Sequence, residues 1–151
     1  MRNWKIYTKS DILPPQYFSD TSKVFRSIIG EGTQVYGEVY NSVIGSGVTI
    51  DEGAIVRDSI IMQNVHVGAG AVIDKSIIAE GAVLGVGDEA PNALNSKVYA
   101  FGLVTIGENS YIPPRVQIGK NTAVSGITEP SDYDNGLLVS GGSIIKGGAV
   151  R

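Results

Sequence analysis

Aliphatic residues recur along this chain with a step that is neither helical nor simply alternating. Anchors stand at Ile29, Val35, Ile44, Ile50, Val56, Ile61, Val67, Ile73, Ile78 and Leu84, and again at Ile106, Ile112, Ile118 and Val124, mostly six residues apart. A helix would space its apolar residues by three and four, and an isolated half-buried strand by two. A sustained step of six instead describes a short strand followed by a corner. The third residue after an anchor is Gly or Asn at Gly32, Gly47, Gly53, Asn64, Gly70, Gly81, Gly87, Asn109 and Asn121. These residues tolerate the left-handed backbone of a tight corner, which costs other residues about 1–2 kcal/mol. After Val56 and Ile73 the step contracts to five, and the corner reads Arg57-Asp58-Ser59 and Asp74-Lys75-Ser76. One corner of each turn is therefore expected to be built differently.

Sides of six, six and five residues make a coil of 17. Ser42, Ser59 and Ser76 repeat at that interval, each followed by two aliphatics, and Ser27 before Ile28-Ile29 extends the series. Stacked coils would set these serines in a column, their hydroxyls bonded to neighbouring backbone. The pattern predicts an all-β protein: a single-stranded parallel β-helix of hexapeptide repeats, about 17–18 residues per coil, with a dry aliphatic core. Each coil would be stable only between neighbours.

The repeat is interrupted. Residues 1–23 do not follow it and read as an extended lead-in, stiffened at Pro14 and Pro15, with residues 24–151 forming the β-helix domain. Trp4, Ile6 and Tyr7 are too apolar for a free tail and are expected to pack along the helix or against something outside this chain. Residues 88–99, with Pro91 and Asn92, read as an excursion from one corner, the kind of loop where function concentrates on a repeat scaffold. Residues 126–135 carry Glu129, Asp132 and Asp134, and that acidity predicts a solvated loop. Leu138, Ile144 and Val150 resume the six-residue step as a last coil.

Composition narrows the function more than the fold. The 151 residues suffice for one domain; 42% are hydrophobic, 18% charged and 20 are Gly, a turn-rich globular balance. A net charge of −3 with scattered basic residues favours neither nucleic acid nor an anionic membrane as partner. Cysteine is absent and no apolar run approaches 18 residues, so a cytoplasmic protein is the simplest expectation. His66 is the single histidine, too few for a three-histidine metal site. It could serve as the base of a hexapeptide acyltransferase, but alternation between Val65 and Val67 turns it outward on a strand. Residues 141–148 have the glycines of a phosphate loop without its Gly-Lys-Ser/Thr ending and read as corners. Asp51-Glu52 and Asp88-Glu89 read as solvated turns. No catalytic residue, metal ligand or cofactor site emerges from these residues. The cations Arg26, Arg57, Lys75, Arg115 and Lys120 remain, placed at corners and suited to an anionic effector if two or three converge. Arg57 and Lys75 should lie close together on adjacent coils.

The lead-in NWKIYTKSDILPPQYF, followed by VYGEVYNSVIGSGVTIDEGAIVRDSIIMQNVHVGAGAVIDKSII, resembles the carboxyl-terminal part of bacterial ADP-glucose pyrophosphorylase, or glucose-1-phosphate adenylyltransferase. The likeness covers residues 3–125, and its Trp-x-Ile-Tyr, Pro-Pro-x-Tyr and DSIIM elements are the specific ones. It implies a left-handed coil, against the usual crossover hand. It also implies a non-catalytic domain for oligomerisation and allosteric regulation by sugar phosphates or other anionic metabolites. The parent nucleotidyltransferase would convert ATP and glucose 1-phosphate to ADP-glucose and pyrophosphate in glycogen biosynthesis. By the same resemblance, Mg2+ and ATP would belong to a catalytic domain whose Gly-Gly-x-Gly-Thr-Arg loop is not found here. Met1 then reads as a start at a domain boundary, and the expected partners are that catalytic domain and further subunits in a homo- or hetero-oligomer. An acyltransferase using His66 and a purely structural oligomerisation module stand as the alternatives.

Overall fold

Each strand among the described residues pairs with its like one coil away. In a computed structural model, which describes residues 12–86, 90–93, 96–97, 104–107 and 110–146, three parallel sheets wrap one aliphatic core. Among these residues the first face carries seven strands, from Tyr17–Phe18 to Leu137–Leu138. The second also carries seven, from Lys23–Phe25 to Ser143–Ile145, and the third five, from Ile28–Ile29 to Tyr111–Ile112. The chain visits the faces in rotation, making a β-solenoid of about seven turns, consistent with the left-handed hexapeptide type. Tyr17 pairs with Gln34 and Phe18 with Val35, so paired structure already begins inside the lead-in. Trp4, Ile6, Tyr7, Asp88, Glu89, Asn109 and Val150 lie outside the described residues.

The predicted anchors form the core. All are buried except Ile29, which packs against the core from its edge. Val39, also fully buried, escaped the six-residue pattern. Only Tyr36 and Gly37 separate its strand from the preceding one, so the step from Val35 is four, and the coil linking Val24 to Val39 has 15 residues. From Val39 to Leu84 the pairing returns to 17: Val39 with Val56, Val56 with Ile73, Ile50 with Val67, and Val67 with Leu84.

Corner chemistry follows the expectation and then exceeds it. Gly32, Gly47, Asn64 and Gly81 stack in one column with φ of 70°, 68°, 55° and 71°, and Arg115 occupies the same place in a later coil at 56°. The short corner is left-handed too, at Arg26, Asn41, Asp58 and Lys75 with φ of 49°, 51°, 48° and 45°. Each of these precedes a column serine. Ser27, Ser42, Ser59 and Ser76 donate their hydroxyls to Phe25, Tyr40, Arg57 and Asp74 carbonyls at 2.6–2.9 Å. The hydroxyls of Ser27, Ser42 and Ser59 in turn accept the amide of the next serine up the column, each at 3.1 Å. The serine side chain therefore holds a turn that Arg and Lys do not favour intrinsically.

The acidic segment 126–135 is not the solvated loop its charges predict. Tyr133 is 5% exposed and joins the core, its hydroxyl 2.8 Å from that of the buried Thr128, which in turn bonds the Tyr111 carbonyl. Burial pushes the Tyr133 phenol above its ordinary pKa. The acids face outward around a short 3-10 turn at Pro130–Asp132, so composition described one side of the segment only. The last coil stacks on the one before it: Leu138 pairs with Ile118, and Ile144 with Val124.

Candidate functional site

The five cations chosen from the sequence fall on all three corners. Arg26, Arg57 and Lys75 belong to the serine corner, Arg115 to the corner after the third face, and Lys120 to the corner after the first. Arg57 and Lys75 are brought together, since the Lys75 amide donates to the Arg57 carbonyl at 3.0 Å. Arg26 is three coils away from Lys75, about 14 Å along the axis at the spacing of paired strands. Arg115 and Lys120 share no corner with the other three.

The serine corner mixes charges. Arg57 closes an outward strand position between Tyr40 and Asp74. Asp58 accepts the Asn41 amide at 2.7 Å, and Arg26 lies 5.2 Å from the centre of the Phe25 ring. Tyr40 donates to Glu38 at 2.8 Å, and that bond, with some burial, raises the phenol above its usual range. Lys23 approaches the same carboxylate at 3.6 Å. Arg57 and Lys75 are both exposed on adjacent coils, with Asp74 paired to Arg57 and Asp58 next to it in the chain.

His66 faces outward, as alternation required, and its Nε2 lies 2.8 Å from Asp51 Oδ2. By sequence Asp51 shows only as a turn carboxylate. The signal was available, because Asp51 follows Ile50, the residue paired directly with Val67. Asn92, in the excursion, is 4% exposed and donates to the Asn121 carbonyl at 2.8 Å, while Asn121 donates to the Ala90 carbonyl at 3.0 Å. The described part of that excursion therefore braces the later coils. Among the described residues no group of three or more His, Asp or Glu side chains converges as metal ligands would.

The third face is apolar outside as well as inside. Each column serine is followed by two aliphatics, and on a strand one of the two must point outward. Ile28, Val43, Ile60 and Ile77 do so, giving the third face an apolar exterior that continues through Tyr111 to Ile127.

Residues 15–106 match the family described as GlmU-like, C-terminal hexapeptide. The chain belongs to that family. Its similarity to curated proteins is closer and more specific. It is 62% identical to a glucose-1-phosphate adenylyltransferase of Lachnospira eligens, across 96% of this chain and 36% of that protein. It is 58% identical to the enzyme of the same name from Thermosipho melanesiensis, across 81% of this chain and 31% of that one. The Thermotoga maritima enzyme of that name is 50% identical across 95% of the chain and 35% of its own length. The chain thus spans about a third of the curated relatives it matches. Among solved structures, the acetyltransferase domain of PglB from Neisseria gonorrhoeae overlays with a TM-score of 0.38 at 16% identity, over 83% of this chain and 55% of that one, too loosely to bear on function. Among the described residues of this hexapeptide chain no helix is long and apolar enough to cross a membrane.

Proposed function

We propose that this chain is the non-catalytic assembly and regulatory domain of a cytoplasmic glucose-1-phosphate adenylyltransferase, whose catalytic part converts ATP and glucose 1-phosphate to ADP-glucose and pyrophosphate. The carrying observation is the 62% identity that runs through 96% of this chain yet takes up only 36% of the relative. The fold supports the division of labour. Its interior is filled by stacked aliphatics, and its column serines bond corner to corner between coils. Such a solenoid offers long, rigid exterior faces for other domains and subunits.

Within this reading, Arg57 and Lys75 are the first choice for an anionic effector, because they alone of the five cations are joined, backbone to backbone, across adjacent coils and are both exposed. Arg26 would join them only for a longer ligand or one bridging two subunits. The decisive experiment assays the longer protein that contains this chain for ADP-glucose made from ATP and glucose 1-phosphate. Formation of ADP-glucose is expected, and its absence overturns the substrate assignment. Arg57→Ala is expected to blunt activation by sugar phosphates while leaving basal turnover unchanged; an unaltered response removes Arg57 from the effector site.

One observation favours a second reading. The His66–Asp51 contact at 2.8 Å leaves an oriented imidazole on an exposed face, the arrangement a general base for acyl transfer requires. Acetyl-CoA-dependent transfer that disappears in His66→Ala would establish it, and no turnover in the unmodified chain would dismiss it.

A further inference from the structure

The exterior of the third face repeats a six-residue unit, and in its first and last copies the two ends carry opposite charges. The units are Arg26-Ser-Ile-Ile-Gly-Glu31, Asn41-Ser-Val-Ile-Gly-Ser46, Asp58-Ser-Ile-Ile-Met-Gln63 and Lys75-Ser-Ile-Ile-Ala-Glu80. Their central residues Ile28, Val43, Ile60 and Ile77 stack in register and are 70%, 45%, 44% and 37% exposed. Met62 is exposed beside them, and a shallow groove between coils is lined by Val43, Ile60, Met62, Gln63 and Glu80. Contiguous exposed aliphatics rimmed by polar residues mark an interaction surface.

The rims say what fits. Down one edge run Arg26, Asn41, Asp58 and Lys75; down the other run Glu31, Ser46, Gln63 and Glu80. If a second copy is laid face to face by a two-fold axis parallel to the solenoid, each coil meets its own counterpart with left and right edges exchanged. Arg26 then faces Glu31 of the second copy, Asn41 faces Ser46, Asp58 faces Gln63 and Lys75 faces Glu80. Every pair is opposite in charge or able to hydrogen-bond, and the symmetry makes each occur twice. The antiparallel alternative, in which these four coils meet in reverse order, sets Arg26 against Lys75 and Glu31 against Glu80. Like charges facing across an interface penalise that arrangement.

We infer that the third face is the contact between two copies of this chain, packed side by side and parallel, with an aliphatic seam closed by Arg26–Glu31 and Lys75–Glu80 pairs between subunits. This deepens the assembly role proposed above and rests on it. The core of such an interface is apolar with a polar rim, and the rim charges set orientation more than affinity.

The test uses two variants of this chain. Glu31→Lys with Glu80→Lys makes positions 26, 31, 75 and 80 all positive, and Arg26→Glu with Lys75→Glu makes those same four all negative. Glu31 and Glu80 are exposed, and Glu at the two left-handed positions meets the same backbone strain as the residue it replaces. By sedimentation at low salt, each variant alone is expected to dimerise about tenfold or more weakly than the unmodified chain, and an equimolar mixture to recover a heterodimer. Circular dichroism and melting of each variant verify that the fold is kept. Ile60→Lys, a charge at the centre of the seam, should abolish association in either background. Variants that each dimerise like the unmodified chain overturn the inference while leaving the adenylyltransferase reading to the ADP-glucose assay. An unmodified chain that stays monomeric also overturns it; loss of ADP-glucose formation on Ile60→Lys in the longer protein would then assign the face to that protein's own remaining polypeptide.

Discussion

The middle coils and the last coils enclose the same kind of core by different means. From Val39 to Leu84 every ladder repeats at 17 residues, and the corners are held by Gly, Asn and the serine column. Beyond Val104 the repeat lengthens: Ile106 pairs with Val124 at 18 residues, and Val124 with Ile144 at 20. There the extra residues are tied down by particular side chains: Asn92 and Asn121 across one corner, Tyr133 and Thr128 across another, and Asp132 on Lys146. The difference teaches that a solenoid tolerates insertions where a polar clamp replaces the lost regularity. Repetition holds the middle coils, and unique contacts hold the last ones.

Four measurements press on that comparison. The largest effect is expected from Ile61→Asp, which puts a carboxylate into the fully buried stack of the middle coils and costs several kcal/mol, about enough to unfold a domain of this size. Ile60→Asp, one residue away and outward, should leave the melting curve nearly unchanged when both chains are compared at concentrations where neither self-associates; equal damage from the two would mean the inward register is wrong. Next comes Tyr133→Ala, expected to cost about 3 kcal/mol by emptying the only aromatic place among the buried core residues described. Hydrogen exchange should rise in residues 137–146 and stay flat in residues 39–84, and uniform loosening would contradict the division drawn here.

Ser59→Ala should cost about 1–2 kcal/mol, because the Ser76 amide loses its acceptor and the Arg57 carbonyl loses one of its two donors. Urea midpoints of the serine variants at 42 and 59 should agree, since the column repeats the same bonds; a large disparity would show the ladder is not periodic in energy. The smallest effect concerns Asp132, whose carboxylate accepts Lys146 at 2.6 Å and the Glu129 amide at 2.7 Å. The Lys146 bond is the main reason its pKa lies below the ordinary carboxylate value, and the same bond raises that of Lys146. The carboxylate's contribution is therefore complete above its unfolded pKa and fades as pH falls through the lower folded one. The lysine's contribution is complete below its unfolded pKa and fades as pH rises through the higher folded one. Proteolysis of the last coil should follow both limits, and Asp132→Asn should flatten both.

Much of this molecule was legible beforehand because its core side chains sit at a fixed interval and its corners need particular backbone angles. Ile44, Ile61 and Ile78 announce the stack, and Gly47, Asn64 and Gly81 announce a corner. What stayed hidden lacked such a marker. Arg26, Asp58 and Lys75 adopt left-handed angles that their side chains do not advertise; the serine after each explains them only once its bonds are seen. Val39 was missed because a two-residue corner shortens the step to four. Tyr133 was hidden among acids whose solvation said nothing of its own direction. The cations showed that corner residues one coil apart can be paired from spacing alone, as Arg57 and Lys75 are, while spacing did not separate the corner of Arg115 from that of Lys120.

The hydrogen bonds between coils have a mechanical consequence. They run nearly along the solenoid axis, and so does the serine column. A pull along the axis therefore loads one coil-to-coil junction after another and peels the structure from an end. A push across the axis is borne by the packed core of every coil at once. A domain built this way is a beam, stiff against bending and weak in tension at its tips, and it would carry a displacement applied to one face across to the opposite corner with little loss.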